Sequence, residues 1–565
     1  MPDAVVGVVA VLAFALAPSF YGNELLLLNM ALYVVLAQGI NVVYGFAGYL
    51  PFGYVGFFGA GAYGASLSVR YLHVPAPLAV ILGGVAGALT GTVLLPLLRL
   101  AGPYFAITSL AAAEAIYAVV ANPTLDFVTQ GTSGTDLASI YNSAESYAAA
   151  VCLVGATVAV VVLLRWGNFG LALRAIRSNY LAALCAGIDV VRARRIAWIV
   201  SATIAGLAGA IFAWAIATFY ASAVFDLSVS VFAIVFALFG GVGTTAGPIV
   251  GAVLLYGLYS AIGITAPSSF ELVYGILIVV LVLFVPRGLS GLWHGFLQQF
   301  RPTKGQLGGG GGPSTGRLFM ASGQPSEARM EGGEEILRVE NLSRNFGALR
   351  AVDGVSFALA RGEILGLVGP NGSGKTTVIN LLSGVYQPSG GSVVLGGKNV
   401  AHLKCHHLVR MGIARTFQIP QPLASLTAAE NVALASRHGR PGPMAIADPI
   451  AAVGLASQRD TAAKDLNASQ QKRLDLARAL ATGPDVLLVD EMGAGLSPAE
   501  LDDLAALLRD LAKQGIALVV VEHLMGFLAQ VTDHVVVLDA GQEIYRGSLG
   551  DAVKDEQVIK VFLGA

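Results

Sequence analysis

The chain is short of charge. Only 12 % of its 565 residues are Asp, Glu, Lys or Arg, where an ordinary soluble domain has roughly 25 %. The shortage is uneven. Residues 1–300 hold no lysine, nine arginines and nine acidic residues, whereas the last 265 hold 51 charged residues. A net charge of −1 leaves no dominant basic surface and excludes a nucleic-acid partner. A hydrophobic share of 55 % excludes disorder and a fibrous repeat. Cysteine is scarce: Cys152, Cys185 and Cys405 share no spacing, which excludes a disulfide framework and a zinc site and reads as buried or incidental thiols. Met1-Pro2-Asp3 lacks the basic start of a cleaved signal peptide, so Ala4–Pro18 is expected to be a true span.

What the first part does contain is apolar runs. A helix needs about 20 such residues to cross the hydrocarbon core. Ten candidates lie near 4–20, 26–46, 52–70, 78–98, 104–121, 147–164, 196–219, 228–244, 246–264 and 270–286. Some of the glycine-rich ones could be re-entrant or broken, so about 8–10 spans are expected. Arg165, Arg174, Arg177, Arg192, Arg194 and Arg195 cluster in one loop, and Arg287 and Arg301 follow the last run. Positive residues favour the cytoplasmic side, which places both regions inside and the 122–146 loop outside. The stretch 45–64, GFAGYLPFGYVGFFGAGAYG, has two readings: close helix packing, or an irregular segment lining a pathway. Glu114, inside a span, reads as a paired structural carboxylate or as a substrate contact.

Residues 301–335 read as a linker, because Gly308–Gly312 and Pro313-Ser314-Thr315-Gly316 cannot bury apolar surface. After Ile336 the pattern becomes α/β. Ile336–Val339, Gly354–Leu359, Ile364–Val368, Val486–Val489, Ala517–Val521 and His534–Leu538 read as strands, and Leu501–Lys513 as a helix. Gly369-Pro370-Asn371-Gly372-Ser373-Gly374-Lys375-Thr376 matches the phosphate-loop pattern in full, between a strand and a helix that runs on from Thr377. Glycines let backbone N–H groups wrap phosphates, Lys375 neutralises their charge, and the Thr376 hydroxyl is suited to Mg2+. The apolar strand Val486–Val489 ends in Asp490 and Glu491. Asp490 is expected to hold Mg2+ and Glu491 to polarise the attacking water.

Residues 336–565 resemble the ATP-binding cassette family. The resemblance implies further roles. Phe346 would stack on adenine, although plain core packing is the alternative. Gln418, in Arg415-Thr416-Phe417-Gln418, would sense Mg2+ and the membrane subunit. His523 would contact the γ-phosphate, a structural strand-end histidine being the alternative. Gly495-Leu496-Ser497 falls where the loop after the carboxylate pair should be. The family signature L-S-x-G-Q departs here to Leu466-Asn467-Ala468-Ser469-Gln470. In the family this segment closes over ATP held by a second cassette, so a weakened composite site and a heterodimeric cassette pair are expected.

The first part resembles the M-type permease of branched-chain amino acid importers, over about 25–290. The motifs are Gly39-Ile40-Asn41, Gly45-Phe46-Ala47-Gly48, Gly102-Pro103-Tyr104-Phe105, Ala172-Leu173-Arg174 and Gly240-Gly241-Val242-Gly243-Thr244. Gly412-Ile413-Ala414-Arg415 resembles the G-type ATPase of the same system. The expected architecture is a polytopic α-helical membrane domain (1–300) fused through the linker to an α/β cassette (336–565). Ala175–Ile188 is the expected coupling helix, with Leu181-Ala182-Ala183 before Gly187 and no nearby Glu. The resemblance implies ATP and Mg2+, a second permease, a second cassette, an external substrate-binding protein and a small-molecule cargo in the inner membrane. The expected cargo is leucine, isoleucine or valine. Urea, short amides and other amino acids are alternatives within the class, and an exporter or a tethered regulatory ATPase lies outside it.

Overall fold

In the computed structural model of the chain, residues 2–265, 275–276, 279, 289, 334–440 and 446–563 are described. They fall into two compact units, Met1–Arg177 with Val191–Leu307, and Ser178–Val190 with Gly308–Ala565.

The first unit is helical. Among the described residues seven helices are long and apolar enough to cross a membrane: Glu24–Phe46, Ala76–Val93, Pro103–Val120, Ser143–Trp166, Val190–Ile216, Ala221–Gly240 and Ala246–Gly263. Pro2–Leu16 is apolar but shorter, and Val55–Leu72 is diluted by glycine and serine. Helices thus cover the first nine expected segments. The tenth, 270–286, falls almost wholly outside the described residues, as does the linker up to 333. Helix starts follow local chemistry. Asn142 accepts from the Glu145 N–H at 3.2 Å, and Pro103 occupies a first-turn position that needs no N–H partner.

Small residues set the packing. A Cβ on Gly61 would lie 2.0 Å from the Gly206 carbonyl oxygen, and one on Gly209 would lie 1.9 Å from that of Phe58. Backbones this close exclude any side chain. Trp198 is buried edge-on to Phe57 and Phe105 at 5.0 and 5.5 Å, and donates its indole N–H to the Gly91 carbonyl at 2.9 Å.

The glycine-rich stretch is closely packed and is also irregular at its start. The helix from Glu24 loosens into a π-turn at Asn41–Phe46, and 47–51 is irregular. Freed backbone groups are met by side chains. Asn41 donates to the Thr244 carbonyl at 2.8 Å and accepts from the Gly243 N–H at 2.6 Å, and Gln38 donates to the Thr245 carbonyl at 2.7 Å. Arg177 donates to the Gly45 carbonyl. Irregular backbone survives in an apolar unit when it is satisfied in this way. Glu114 departs from the paired-carboxylate expectation. It is exposed and has no ion pair among the described residues, because its helix buries only Phe105, Ala106, Ser109 and Ala113.

The second unit holds two sheets. Strands are β1 Glu335–Phe346, β2 Leu349–Ala360, β3 Ile364–Val368, β4 Gly390–Leu395, β5 Lys398–Asn399, β6 Ile413–Arg415, β7 Val486–Asp490, β8 Ala517–Val521, β9 His534–Asp539 and β10 Gln542–Gly547. The six-stranded sheet runs β10-β9-β3-β8-β7-β6 and the antiparallel one runs β2-β1-β4-β5. In the larger sheet only β10 is antiparallel. Residues Ile364–Val368, Val486–Asp490 and Ala517–Val521 are buried throughout, as parallel strands covered on both faces must be. Glu335, the last residue of the expected linker, already belongs to β1.

Candidate functional site

β3 and the helix Lys375–Leu382 are joined by the phosphate loop. Gly369, Gly372 and Gly374 take φ of 150, 85 and 103°. A Cβ on Gly374 would sit 2.5 Å from the Ala351 carbonyl oxygen, so the loop conformation requires glycine there. Lys375 folds over this loop and donates to the Gly369 and Pro370 carbonyls, both at 2.8 Å. Burial holds the Lys375 ammonium below its ordinary value, with Glu491 and Asp490 pulling the other way.

Above the loop lies a cavity of about 580 Å³. Phe346, Asn371, Gly372, Gly374, Lys375, Thr376, Thr377, Gln418 and Glu491, all expected at the site, line it. Gly369, Pro370, Ser373, Asp490 and His523 do not. Gly369 packs against the Leu538 carbonyl, and Ser373 is buried under the loop, with its N–H on the Pro370 carbonyl. Sequence reasoning missed Leu349, Arg350, Ala351 and Ala540 at the rim. Their tie to the loop is long-range, and no local pattern marks it. Phe346 is 39 % exposed and meets Tyr386 edge-on at 5.3 Å, with the Arg344 guanidinium 4.7 Å from its ring centre. It presents an open aromatic surface rather than core packing.

Asp490 and Glu491 part company at the end of β7. Asp490 is 1 % exposed. Its Oδ2 lies 3.5 Å from Arg415 Nη2, and its Oδ1 is buried with no hydrogen-bond partner among the described residues. Burial pushes this carboxyl above its ordinary range, and the Arg415 cation opposes it. Glu491 turns away at φ 45°, and its N–H bonds the Val521 carbonyl at 2.9 Å. A non-glycine residue in this region costs on the order of 1–2 kcal/mol. The turn carries the carboxylate to the cavity, where Gln418 Nε2 donates to Oε2 at 2.6 Å and His523 Nε2 meets Oε1 at 2.8 Å. Two residues that are far apart in sequence, Gln418 and His523, thus converge on the Glu491 carboxylate. The orphaned Asp490 oxygen and, on the cavity wall, the oxygens of Thr376, Gln418 and Glu491 are ligand types that suit a hard divalent cation.

The altered signature lies at the start of the helix Ala468–Leu480. Asn467 caps it, accepting from the Gln470 N–H at 2.8 Å while Gln470 accepts from the Asn467 N–H at 3.1 Å. Ser469 donates to Glu500 Oε1 at 2.7 Å, and Ser497 donates to Glu500 Oε2 through N–H and hydroxyl, both at 2.9 Å. These donors, the Ser497 N–H first, hold the Glu500 carboxyl down at about 2. The signature segment is therefore tied to Ser497, in the loop after the carboxylate pair.

Further along this helix Asp475 and Arg478 form a buried ion pair at 2.6 Å. Asp475 Oδ2 accepts from the Phe417 N–H at 2.7 Å, and Arg478 donates to the Gln421 carbonyl at 2.7 Å. The loop that carries Gln418 is clamped at both ends.

The expected coupling helix Ala175–Ile188 is not one helix. It divides into Asn168–Ser178 and Tyr180–Cys185, because Asn179 caps the second and accepts from the Ala182 N–H at 2.8 Å. Only Ser178–Val190 clusters with the cassette residues. Asn179 donates to Gln421 Oε1, and Ser178 Oγ accepts from the Ala424 N–H at 3.0 Å. Ala182 and Ala183 are fully buried. Gly187, at φ 83°, leaves no room for a side chain, since a Cβ would lie 2.3 Å from the His438 carbonyl oxygen.

Residues 24–285 match the family model described as branched-chain amino acid transport system, permease component. Residues 352–494 match the ABC transporter model. The chain is 34 % identical over 249 residues to the high-affinity branched-chain amino acid transport ATP-binding protein BraF of Pseudomonas aeruginosa, covering 98 % of it with 40 % of this chain. It is 34 % identical over 247 residues to the probable branched-chain amino acid transport ATP-binding protein LivG of Archaeoglobus fulgidus, 96 % of which is matched by 41 % of this chain. Among solved structures, the ADP conformation of the ABC transporter cassette MJ1267 matches at 30 % identity and a TM-score of 0.38, over 41 % of this chain and all of that one.

Proposed function

Because the chain belongs to the ABC transporter family, with a permease of the branched-chain amino acid type joined to its own ATP-binding cassette, we propose that it imports leucine, isoleucine and valine. It is a membrane protein that binds ATP and couples its hydrolysis to transport. The inner membrane, with the cassette in the cytoplasm, is the proposed location. A second permease, a second cassette and an external binding protein complete the proposed assembly, and the permease and cassette portions are taken as 1–300 and 336–565.

The observation that carries the catalytic half is the Glu491 carboxylate, held between Gln418 and His523 at the wall of the phosphate-loop cavity. Phe346 offers its exposed ring to the adenine. The N–H groups of Asn371, Gly372, Gly374, Lys375, Thr376 and Thr377, which line the cavity, take the phosphates. Lys375 exchanges its carbonyl partners for phosphate oxygens. Mg2+, held by Thr376, Asp490 and Gln418, would neutralise charge on the transferred phosphoryl group. Glu491 aligns and polarises the attacking water, Gln418 fixes its orientation, and His523 reaches toward the γ-phosphate. The signature segment, with Asn467, Ala468, Ser469 and Gln470, faces the nucleotide of the second cassette. The Ser469–Glu500 contact supports a weaker site there and an unequal cassette pair. Ala182, Ala183 and Gly187 pass the cassette's motion to the permease.

The test is uptake of labelled leucine, isoleucine, valine and urea by cells carrying the complete system, with Glu491→Gln as control. Uptake of the three branched-chain amino acids but not urea is expected. It should fall about 10²–10⁴-fold in the variant, as for loss of a general base, while ATP still binds. No uptake of any of the three, with the protein in the membrane, overturns the cargo assignment.

A further inference from the structure

The fold brings together two of the cysteines that share no spacing. Cys185 ends the helix Tyr180–Cys185, and Cys405 opens the helix Cys405–Met411. Their Sγ atoms lie 3.4 Å apart, with Cys405 donating to Cys185. Both are buried, in a cluster with Val409 and Phe417. Cys152 is exposed and belongs to the other unit. To form a bond of about 2.05 Å the two sulfurs must close by about 1.35 Å from 3.4 Å.

Their environments differ. The Cys405 thiol and the Arg415 and Arg478 cations hold the Cys185 thiol below its ordinary value, whereas the Cys185 sulfur and burial push Cys405 up. Both sulfurs feel the Arg415 cation, which favours a thiolate in the pair, and Cys185, which Arg478 also faces, is taken as the attacking one. The surroundings are functional. Phe417, which belongs to the same buried cluster, precedes Gln418, and Gln418 reaches Glu491.

We infer that Cys185 and Cys405 form an oxidation site for small hydroperoxides, whose disulfide fixes Ser178–Val190 to the cassette beside the Gln418 loop and slows ATP turnover. The Cys185 thiolate attacks the terminal peroxide oxygen. An S–O bond forms, the O–O bond breaks, and the leaving oxygen takes a proton. Cys405 then attacks the sulfenic sulfur with loss of its proton. The S–S bond forms, the S–O bond breaks, and water leaves. Two thiols and one hydroperoxide give one disulfide, one alcohol or water, and one further water, and the two electrons lost by sulfur reduce the O–O bond. A reducing cytoplasm returns the pair to thiols. The slowing of turnover rests on the ATPase reading, but formation of the bond does not.

The full chain, assembled with its partner subunits, is treated with hydrogen peroxide, alkylated with N-ethylmaleimide, digested and weighed before and after dithiothreitol. A peptide linking Cys185 to Cys405 is expected, with Cys152 still alkylated. ATP turnover should fall about tenfold and recover on reduction. Cys405→Ser should keep its turnover through the same treatment. Separately alkylated Cys185 and Cys405, a linked peptide with unchanged turnover, or equal losses in wild type and Cys405→Ser each overturn the proposal. The linked peptide is read on the wild-type chain, so a variant that fails to fold leaves the test intact. Absence of ATPase in the untreated complex would instead count against the transport reading.

Discussion

Removing the Asp475 carboxylate should unseat the loop that carries Gln418. Asp475 and Arg478 are 2 % and 5 % exposed in side chain, at 2.6 Å. Between them they hold the Phe417 N–H and the Gln421 carbonyl. Burial alone raises the Asp475 carboxyl, and Arg478 opposes that shift. The pair therefore stabilises less than its distance suggests, yet losing one member is costly, because it strands the other charge. Such a loss is worth about 3–5 kcal/mol, or roughly a hundred- to a few-thousand-fold in the folding equilibrium. Asp475→Ala should lose that much. Asp475→Leu with Arg478→Met should recover most of it, short of the bond to Gln421. All four tryptophans lie at 166, 198, 214 and 293, so indole fluorescence does not report on the cassette. The assay is hydrogen exchange of peptides from β7 and β8 and from the 415–424 loop, read on the full chain through a urea series. A single variant costing less than about 1 kcal/mol, or a double variant no better than the single, would refute the argument.

Gly61→Ala pushes a Cβ to within 2.0 Å of the Gly206 carbonyl oxygen. Overpacking of this kind costs about 1–3 kcal/mol, so a lower melting temperature of the detergent-solubilised chain is expected. Ser469→Gly frees Glu500 from one donor and restores the glycine of the family signature, and ATP turnover of the assembled complex should rise. Glu500 also sets a pH dependence. Its carboxyl sits at about 2 against an ordinary 4.5. A depressed value stabilises the fold in full above the ordinary value, and this is lost as pH falls through the folded one. Wild type and Glu500→Gln should therefore differ in urea midpoint at neutral pH and converge near pH 2.

The cassette was legible because its signals are local. β3 and β8 match the expected strands to the residue, since a buried parallel strand is a short unbroken apolar run that polar turns close off. The phosphate loop needs glycine at fixed offsets, so it too can be read by eye. The coupling segment was misread as one helix although the break has a local cause. Asn179 is a good cap, but it sits among residues that favour helix on both sides, so propensity hid it. Ser469 was recognised as a departure, but not its hold on Glu500, because their contact forms only when two helix starts meet. The same applies to Cys185 and Cys405, 220 positions apart. Glu114 failed for another reason. A span's sequence does not say which face the rest of its unit covers.

One helix, Ala468–Leu480, serves both ends of the chemistry. Its first turn carries Asn467 and Ser469, and its second half carries Asp475 and Arg478. A helix rises about 1.5 Å per residue, so these groups stand roughly 9 Å apart on a rod that a short push tilts rather than bends. A group that engages the first turn and tilts this helix would displace the clamp on Phe417 and Gln421. That displacement is felt at two places. Gln418 lies inside the clamped loop and bonds Glu491, while Gln421 at its far end accepts from Asn179. Movement at the signature would thus reach the Glu491 carboxylate and the segment Ser178–Val190 through the same pair of buried charges.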